Sequence, residues 1–143
     1  MTNIKAIILT GIGMIGGWIA NLLGGWTSDM ITLGIFMTID FVTGLIVAGV
    51  FKKSNKSDSG AYNSKAGWKG LCKKGITLCF VIIAHRLDIE LGVNYIRTAT
   101  IVGFMANEAM SIIENAGLMG VPLPRVIIKA VEVLKEDLDE EEK

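Results

Sequence analysis

Residues 30–51 form an almost unbroken apolar run that ends abruptly at Lys52 and Lys53. A run of this length is what an α-helix needs to cross the hydrocarbon core of a bilayer, which takes about 20 residues. Asp40 lies near the middle of the run. A carboxylate at that depth costs about 3 kcal/mol on insertion scales, so it is expected to face protein or water rather than lipid. The run therefore predicts a membrane protein in which this span does more than anchor the chain.

The charges of the chain are segregated, although its formal net charge is zero. Residues 52–74 contain seven lysines and Asp58 as their one acid, a net charge of +6, whereas residues 132–143 carry −5. Because basic loops stay in the cytoplasm, we expect residues 52–70 to form a cytoplasmic loop. With 143 residues and a mean hydropathy of +0.52, the chain suits one compact membrane unit without an additional soluble domain of ordinary size.

The predicted fold is an all-α membrane protein, a multi-pass bundle of transmembrane helices. Candidate spans lie at about residues 4–23, 30–51, 71–87 and 93–118. The third is marginal because lysine and arginine side chains must snorkel at its ends, and the fourth contains several polar residues. Three spans would place the acidic tail outside, whereas four place both termini in the cytoplasm. We favour four.

Residues 119–143 are predicted to form a cytoplasmic amphipathic helix that leads into the acidic tail. Pro122 and Pro124 interrupt the chain after the fourth candidate span and suit the start of a new helix. Apolar residues then recur with 4-3-4 spacing, at Ile127, Val131, Leu134 and Leu138.

The fourth candidate span has one polar stripe and one small, apolar face. At about 100° per residue, five polar side chains fall within about 80° of one another. They are Arg97, Thr100, Glu108, Ser111 and Asn115. In a membrane such a stripe must be paired or wet.

Asp40 in the second span, with Thr43 one turn on, has three interpretations. It could line a pore or proton-sensitive site, pair with a cation on another helix such as Arg97, or be a packed residue capped by hydroxyls. Intramembrane acids are functional by default, which favours the first two interpretations. The residues expected to line a pore or control assembly are Asp40, Thr43, Arg97, Asn107, Glu108, Ser111 and Asn115.

Small residues are spaced for close helix packing at Gly13 and Gly17, at Gly16, Ala20 and Gly24, and at Gly44 and Ala48. This small-xxx-small spacing lets helix backbones approach each other. Packing within one chain and self-association between chains are both open.

The sequence gives little support to an enzyme or a metal site. His85 and Arg86 have no nucleophile at a recognisable spacing, and there is no H-E-x-x-H, phosphate-loop or dinucleotide motif. Cys72 and Cys79 with one histidine make a poor zinc set. The lysines are interleaved with few aromatic residues, which favours topology setting and contact with anionic lipid over binding to nucleic acid. We therefore predict no catalytic residues, cofactor or metal.

Several motifs of the chain are distinctive. The longest is Asn107-Glu108-x-x-Ser111-Ile112-x-Glu114-Asn115-x-Gly117-x-x-Gly120-Val121-Pro122-x-Pro124. Shorter ones are Asp40-x-x-Thr43-Gly44, Gly70-Leu71-x-Lys73-Lys74, and Leu87-Asp88 followed by Gly92 and Arg97. In these motifs the chain resembles the phage holin family that includes clostridial toxin-secretion holins. The resemblance covers about residues 30–135.

The resemblance implies a small protein that accumulates in the bacterial cytoplasmic membrane as a homo-oligomer and then forms holes. Holins of this type release a murein-degrading endolysin, or in some relatives a large toxin, and so time the lysis of the host cell. The endolysin is a functional partner that need not touch the holin. In the closed state we expect the polar stripe to pack inward near Asp40, with Arg97 and the acids partly neutralising each other.

Two functions of other classes are alternatives. A small ion channel or transporter subunit would use Asp40 and Glu108 as ion or proton ligands. A membrane-bound scaffold would use the acidic tail to recruit a partner.

Overall fold

The protein, seen in a computed structural model, is all-α over residues 2–141, with side chains described for residues 3–136. Five helices follow in order: α1 (Thr2–Leu22), α2 (Ser28–Ile46), α3 (Ser64–Leu91), α4 (Ile96–Leu118) and α5 (Arg125–Glu141). A π-helical turn, Val47–Phe51, extends α2. The prediction of an all-helical chain is confirmed for these residues. The predicted tail from residue 137 onward lies outside the described side chains.

Helices α2, α3 and α4 form a three-helix bundle in which α4 packs against both of the others. Arg97 near the start of α4 contacts Thr27 just before α2, and Asn115 near the end of α4 contacts Thr43 farther along α2. Helices α2 and α4 are therefore parallel. Asp88, near the end of α3, accepts a hydrogen bond from the first residue of α4, so α3 is antiparallel to both.

The centre of the bundle is filled by one fully buried side chain from each helix. Leu33 of α2, Val81 of α3 and Ile101 of α4 are each 0% exposed. Met30 and Met37 extend this cluster along α2, and Leu23 closes it at the end where α1 meets the bundle. Because these residues lie between three helices, the core is shared by the bundle as a whole.

Helix α1 lies outside this core. Its large apolar side chains are exposed on every side, with Ile7, Leu9 and Met14 about 70% exposed. A Cβ atom added at Gly13 or Gly17 would meet nothing within 4 Å, so this small-residue pair makes no close packing within the described chain. By contrast, Ala48 is buried, and a Cβ atom at Gly44 would lie 3.8 Å from the Asn115 side chain on α4. Of the two pairs, only the second packs within the subunit.

The basic segment is shorter as a loop than predicted, because α3 begins at Ser64 rather than near residue 71. The Asn63 side chain accepts a hydrogen bond from the backbone N–H of Lys65 and caps the helix there. At the other end Gly92 adopts a left-handed conformation, with φ of 66°, which ends the helix. The predicted third span thus lies inside a longer helix of 28 residues.

Two helical segments are long and apolar enough to cross a membrane by length and composition, Asn3–Leu22 and Ser28–Phe51. Within the described residues α3 and α4 do not meet that criterion, since both carry too many charged or polar residues. Their 28 and 23 residues nevertheless give helices about 42 and 35 Å long, which exceed the hydrocarbon thickness. Four spans therefore stay a prediction.

Truncation of the shared core is expected to destabilise the whole bundle. Ile101→Ala removes a side chain that is 0% exposed and leaves a cavity between three helices, with an expected loss of about 2–4 kcal/mol in the free energy of unfolding. Ile35→Ala removes the same atoms from an outward position that is 51% exposed, and should cost under about 0.5 kcal/mol. Unfolding in mixed micelles by added SDS, followed by circular dichroism, measures both. Equal losses in the two variants would contradict this packing.

Candidate functional site

Three charged side chains from three different helices meet inside the bundle. Lys74 of α3 donates a hydrogen bond from Nζ to Asp40 Oδ2 of α2, at 2.8 Å, and a second to Glu108 Oε2 of α4. The side chains of Lys74 and Glu108 are 14% exposed and that of Asp40 is 9% exposed. We call Asp40, Lys74 and Glu108 the ion triad. It links all three helices of the bundle through one ammonium group.

The ion triad lies at mid-height in the bundle. Asp40 is close to the midpoint of residues 28–51, and Glu108 is close to the midpoint of α4. At 1.5 Å per residue, both side chains are about 15–18 Å from either end of their helices. Charged groups at this depth are held by one another and not by bulk water at the helix ends.

Asn115 fixes the orientation of Asp40. Its side-chain amide donates hydrogen bonds to Asp40 Oδ1 at 3.2 Å and to Thr43 Oγ1 at 3.0 Å, and it is 6% exposed. The Thr43 hydroxyl in turn donates to backbone carbonyls of its own helix, including that of Ile39 at 2.8 Å. One carboxylate oxygen of Asp40 therefore binds Lys74 on α3, and the other binds Asn115 on α4.

The prediction that Arg97 neutralises Asp40 is wrong, because Arg97 lies at the other end of the bundle. Its guanidinium donates to the Leu23 carbonyl at 2.6 Å, the Gly25 carbonyl at 3.2 Å and Thr27 Oγ1 at 2.9 Å. It also approaches Asp29 Oδ2 at 3.6 Å. Arg97 therefore clamps the turn between α1 and α2.

The reason for this error is that helical periodicity gives direction around a helix but not height. Arg97 and Glu108 share one face of α4, yet eleven residues separate them, or about 16 Å along the axis. The polar stripe therefore meets different partners at different levels. Arg97, Glu108 and Asn115 pair with other parts of the chain, but not all of them near Asp40.

Two functional side chains were not identified as such from the sequence. Lys74 was interpreted as a snorkelling residue, whereas it is the cation of the ion triad. Asp88 is 7% exposed and accepts hydrogen bonds from the backbone N–H groups of Ile96, at 2.9 Å, and Arg97, at 3.0 Å. It thus caps the N-terminus of α4 from the end of α3. The available signal for Lys74 was that the second and fourth candidate spans contain three acids, Asp40, Glu108 and Glu114, but one cation, Arg97.

A cavity of about 600 Å³ opens beside the ion triad, between the three helices and the loop that follows Phe51. Asn107, which is exposed, and Ser111, which is half-buried, line it together with the triad. Two polar residues of α4, Asn107 and Ser111, therefore face this space. Within the part of the chain that the structure describes, no three histidine, cysteine or acidic residues are grouped to hold a metal ion.

Comparison with known proteins identifies the family. The model of the bacteriophage holin family matches residues 17–136, most of the chain. The chain belongs to the bacteriophage holin family. The resemblance seen in its motifs is thereby confirmed. Proteins of this family are pore formers of the cytoplasmic membrane rather than enzymes.

Similar proteins come from a phage and from several bacteria. A probable holin of Bacillus phage phi105 is 34% identical over 103 residues, which cover 71% of this chain and 70% of that protein. An uncharacterized protein of Halalkalibacterium halodurans is 33% identical over 139 residues, 93% of this chain and 97% of its own length. An uncharacterized 14.9 kDa protein of Clostridium perfringens is 33% identical over 136 residues, which cover 94% of this chain and 97% of that protein. No solved structure matches this holin family member.

The ion triad is expected to depend on its single cation. Lys74→Gln leaves two carboxylates buried without compensation, which should cost about 3–5 kcal/mol in the free energy of unfolding. The triple change Asp40→Asn, Lys74→Gln, Glu108→Gln removes all three charges and should cost less than the single change. SDS-induced unfolding in mixed micelles measures both values.

Lys69→Gln is the matched control, since Lys69 is an exposed lysine on the same helix. It should leave the free energy of unfolding within about 0.5 kcal/mol of the parent value. A triple variant as unstable as Lys74→Gln, or a Lys74→Gln variant as stable as the control, would contradict a charge-compensated triad.

Proposed function

We propose that the chain is a holin that accumulates as a homo-oligomer in the bacterial cytoplasmic membrane and opens holes through which an endolysin, or a toxin, leaves the cell. The observation that carries the proposal is the ion triad, in a chain of the holin family. While the bundle is closed, the buried charges shared by its three helices are stable because they pair with one another. Once separated, they can be solvated only by water. Such a set suits a bundle that changes between a closed and a wet state.

The proposed topology has four spans, with both termini in the cytoplasm. Helices α2, α3 and α4 alternate in direction, as consecutive spans must. The basic segment after Phe51 and the link from α4 to α5 lie at the same end of the bundle, and the positive-inside rule assigns that end to the cytoplasm. Three of the charges of α3 and α4 that hydropathy counts against a span, those of Lys74, Arg97 and Glu108, pair inside the bundle.

In the closed state, the ion triad and Asn115 hold the polar faces of α2, α3 and α4 together within one subunit. At high density in the membrane, subunits exchange these contacts for contacts with neighbours and turn Asp40, Thr43, Glu108 and Ser111 toward a water-filled hole. Arg97 controls the angle between α1 and the bundle through its clamp on the turn. Asn107 lines the space that becomes wet first.

Helix α1 supplies a surface for contact between subunits. It is apolar on every side and makes little contact with its own bundle, so lipid or another copy must cover it. Gly13 and Gly17 allow two such helices to approach closely. Gly44 and Ala48, by contrast, serve the packing of α2 on α4.

A small ion channel is the second candidate, because the 600 Å³ cavity gives Asp40 and Glu108 access to water within the bundle. Two carboxylates beside such a space could bind a cation in transit. A selective channel, however, cannot pass a folded protein. Protein release therefore separates the two functions.

Expression in bacteria tests the proposal directly. Induction of this chain together with a cytoplasmic endolysin should produce an abrupt fall in culture turbidity after a fixed delay, whereas either protein alone should not. Asp40→Asn, Arg97→Gln and Glu108→Gln should each change the delay, because each alters a contact that holds the closed state. Lys69→Gln should keep the parent delay.

The outcomes separate the alternatives. Loss of membrane potential with the endolysin retained in the cytoplasm would favour a selective channel and overturn the holin assignment. If none of the three variants changes the time of lysis, the polar residues do not control opening.

The topology is tested by cysteine labelling after the native Cys72 and Cys79 are changed to serine. Cysteines introduced at Trp26 and Tyr95, which are 61% and 64% exposed, should react with an impermeant maleimide on intact spheroplasts. Cysteines at Ser59 and Val126 should react only after the membrane is permeabilised. Labelling at position 126 from outside would indicate three spans and contradict the four-span topology.

A further inference from the structure

The cavity beside the ion triad has a basic rim that the charge pairing of the bundle does not use. The loop between Phe51 and Ser64 folds over the cavity and contributes Lys56, while α3 contributes Lys73. In the part of the chain with described side chains, neither lysine pairs with a carboxylate. The two acids that line the cavity, Asp40 and Glu108, are already bound to Lys74. The cavity is lined by three lysines, Lys56, Lys73 and Lys74, and these two acids, so its net charge is +1.

An apolar groove of about 460 Å³ continues from the cavity along the outside of α3 and α4. It is lined by Ile76, Phe80 and Phe104, and it shares Lys73 and Thr77 with the rim of the cavity. The rings of Phe80 and Phe104 lie 6.5 Å apart, and Phe80 is 52% exposed. A charged rim thus leads directly into a hydrocarbon surface.

The order of these features along α3 matches a lipid of the cytoplasmic leaflet. Lys56 comes from the basic loop at one end of the bundle, and Lys73 lies next to Lys74 at the level of the ion triad. The groove continues from Lys73 toward the opposite end. A phospholipid of that leaflet has its head group toward the cytoplasm and its acyl chains toward the midplane. A free phosphate would satisfy the lysines and leave the groove empty.

We propose that the cavity and groove bind one anionic phospholipid, with its phosphate between Lys56 and Lys73 and an acyl chain along Ile76, Phe80 and Phe104. Basic pockets between transmembrane helices on the cytoplasmic side are suited to such head groups. The bound lipid connects the loop to α3 and covers the ion triad, so it favours the closed state. This site rests on the proposed insertion of α3 and α4 into the membrane.

The test uses the full-length protein in an uncharged detergent, with native mass spectrometry to measure bound lipid. Phosphatidylglycerol should bind at least about tenfold more tightly than phosphatidylcholine with the same acyl chains. The double change Lys56→Gln, Lys73→Gln should remove this preference, whereas Lys56→Arg, Lys73→Arg should keep it. The control Lys65→Gln, Lys69→Gln removes two exposed lysines of the same segment that do not line the cavity, and should leave the preference unchanged.

Each contrary outcome overturns the site. Equal binding of the two lipids, or equal loss in the control and the cavity variant, would mean that only diffuse charge attracts lipid. Binding of glycerol 3-phosphate as tight as that of phosphatidylglycerol would mean that the ligand is a soluble phosphate. Because binding is measured in detergent, the result is independent of lysis: a chain that lyses cells but has no lipid preference would overturn this site alone.

Discussion

The fold depends on one ammonium group placed between two carboxylates from different helices. Lys74 joins α3 to Asp40 of α2 and to Glu108 of α4 at mid-height in the bundle. Removing a charge from water is costly, and an unpaired charge in a bundle is more costly than a paired one. None of the three helices can therefore rotate its polar face away from the others independently. The triad makes the three helices one unit, although each is long enough to be a separate span.

A second polar layer fixes the other end of the bundle and is built differently. Asp88 caps the first N–H groups of α4, and Arg97 binds the carbonyls of the turn that joins α1 to α2. The layer at mid-height holds helices to one another by charge, whereas this layer holds a helix end and a turn by backbone groups. Helix α4 is thus fixed at two heights, and α1 is attached only through the turn. In the proposed oligomer, this division leaves α1 free to contact other copies while the bundle stays intact.

Much of the fold followed from the sequence because single residues carried strong constraints. Asp40 inside an apolar run required a protein-facing side, and Asn115 on the polar stripe of α4 does meet it. The partner of Asp40 did not follow, because periodicity places Arg97 and Glu108 on one face without telling which height faces which helix. Lys74 was counted as a charge that weakens the third span, since a hydropathy sum cannot distinguish a lysine facing lipid from one paired with two acids. The sequence also did not predict that Asp88 caps α4, because this cap depends on the path of the turn that joins α3 to α4.

In the opening proposed above, the same pairing would make the change cooperative. If a single subunit turned its polar face outward, Asp40, Lys74 and Glu108 would meet hydrocarbon, where neither a hydrogen bond nor a counter-charge replaces what was lost. If several neighbours turn together, the faces meet one another around a space that fills with water, and the charges are solvated again. Solvation then offsets the free energy needed to separate the triad only when enough subunits turn together. In this proposal, a contact that stabilises one closed bundle sets the number of subunits that must act together, and α1 is the helix through which those subunits associate.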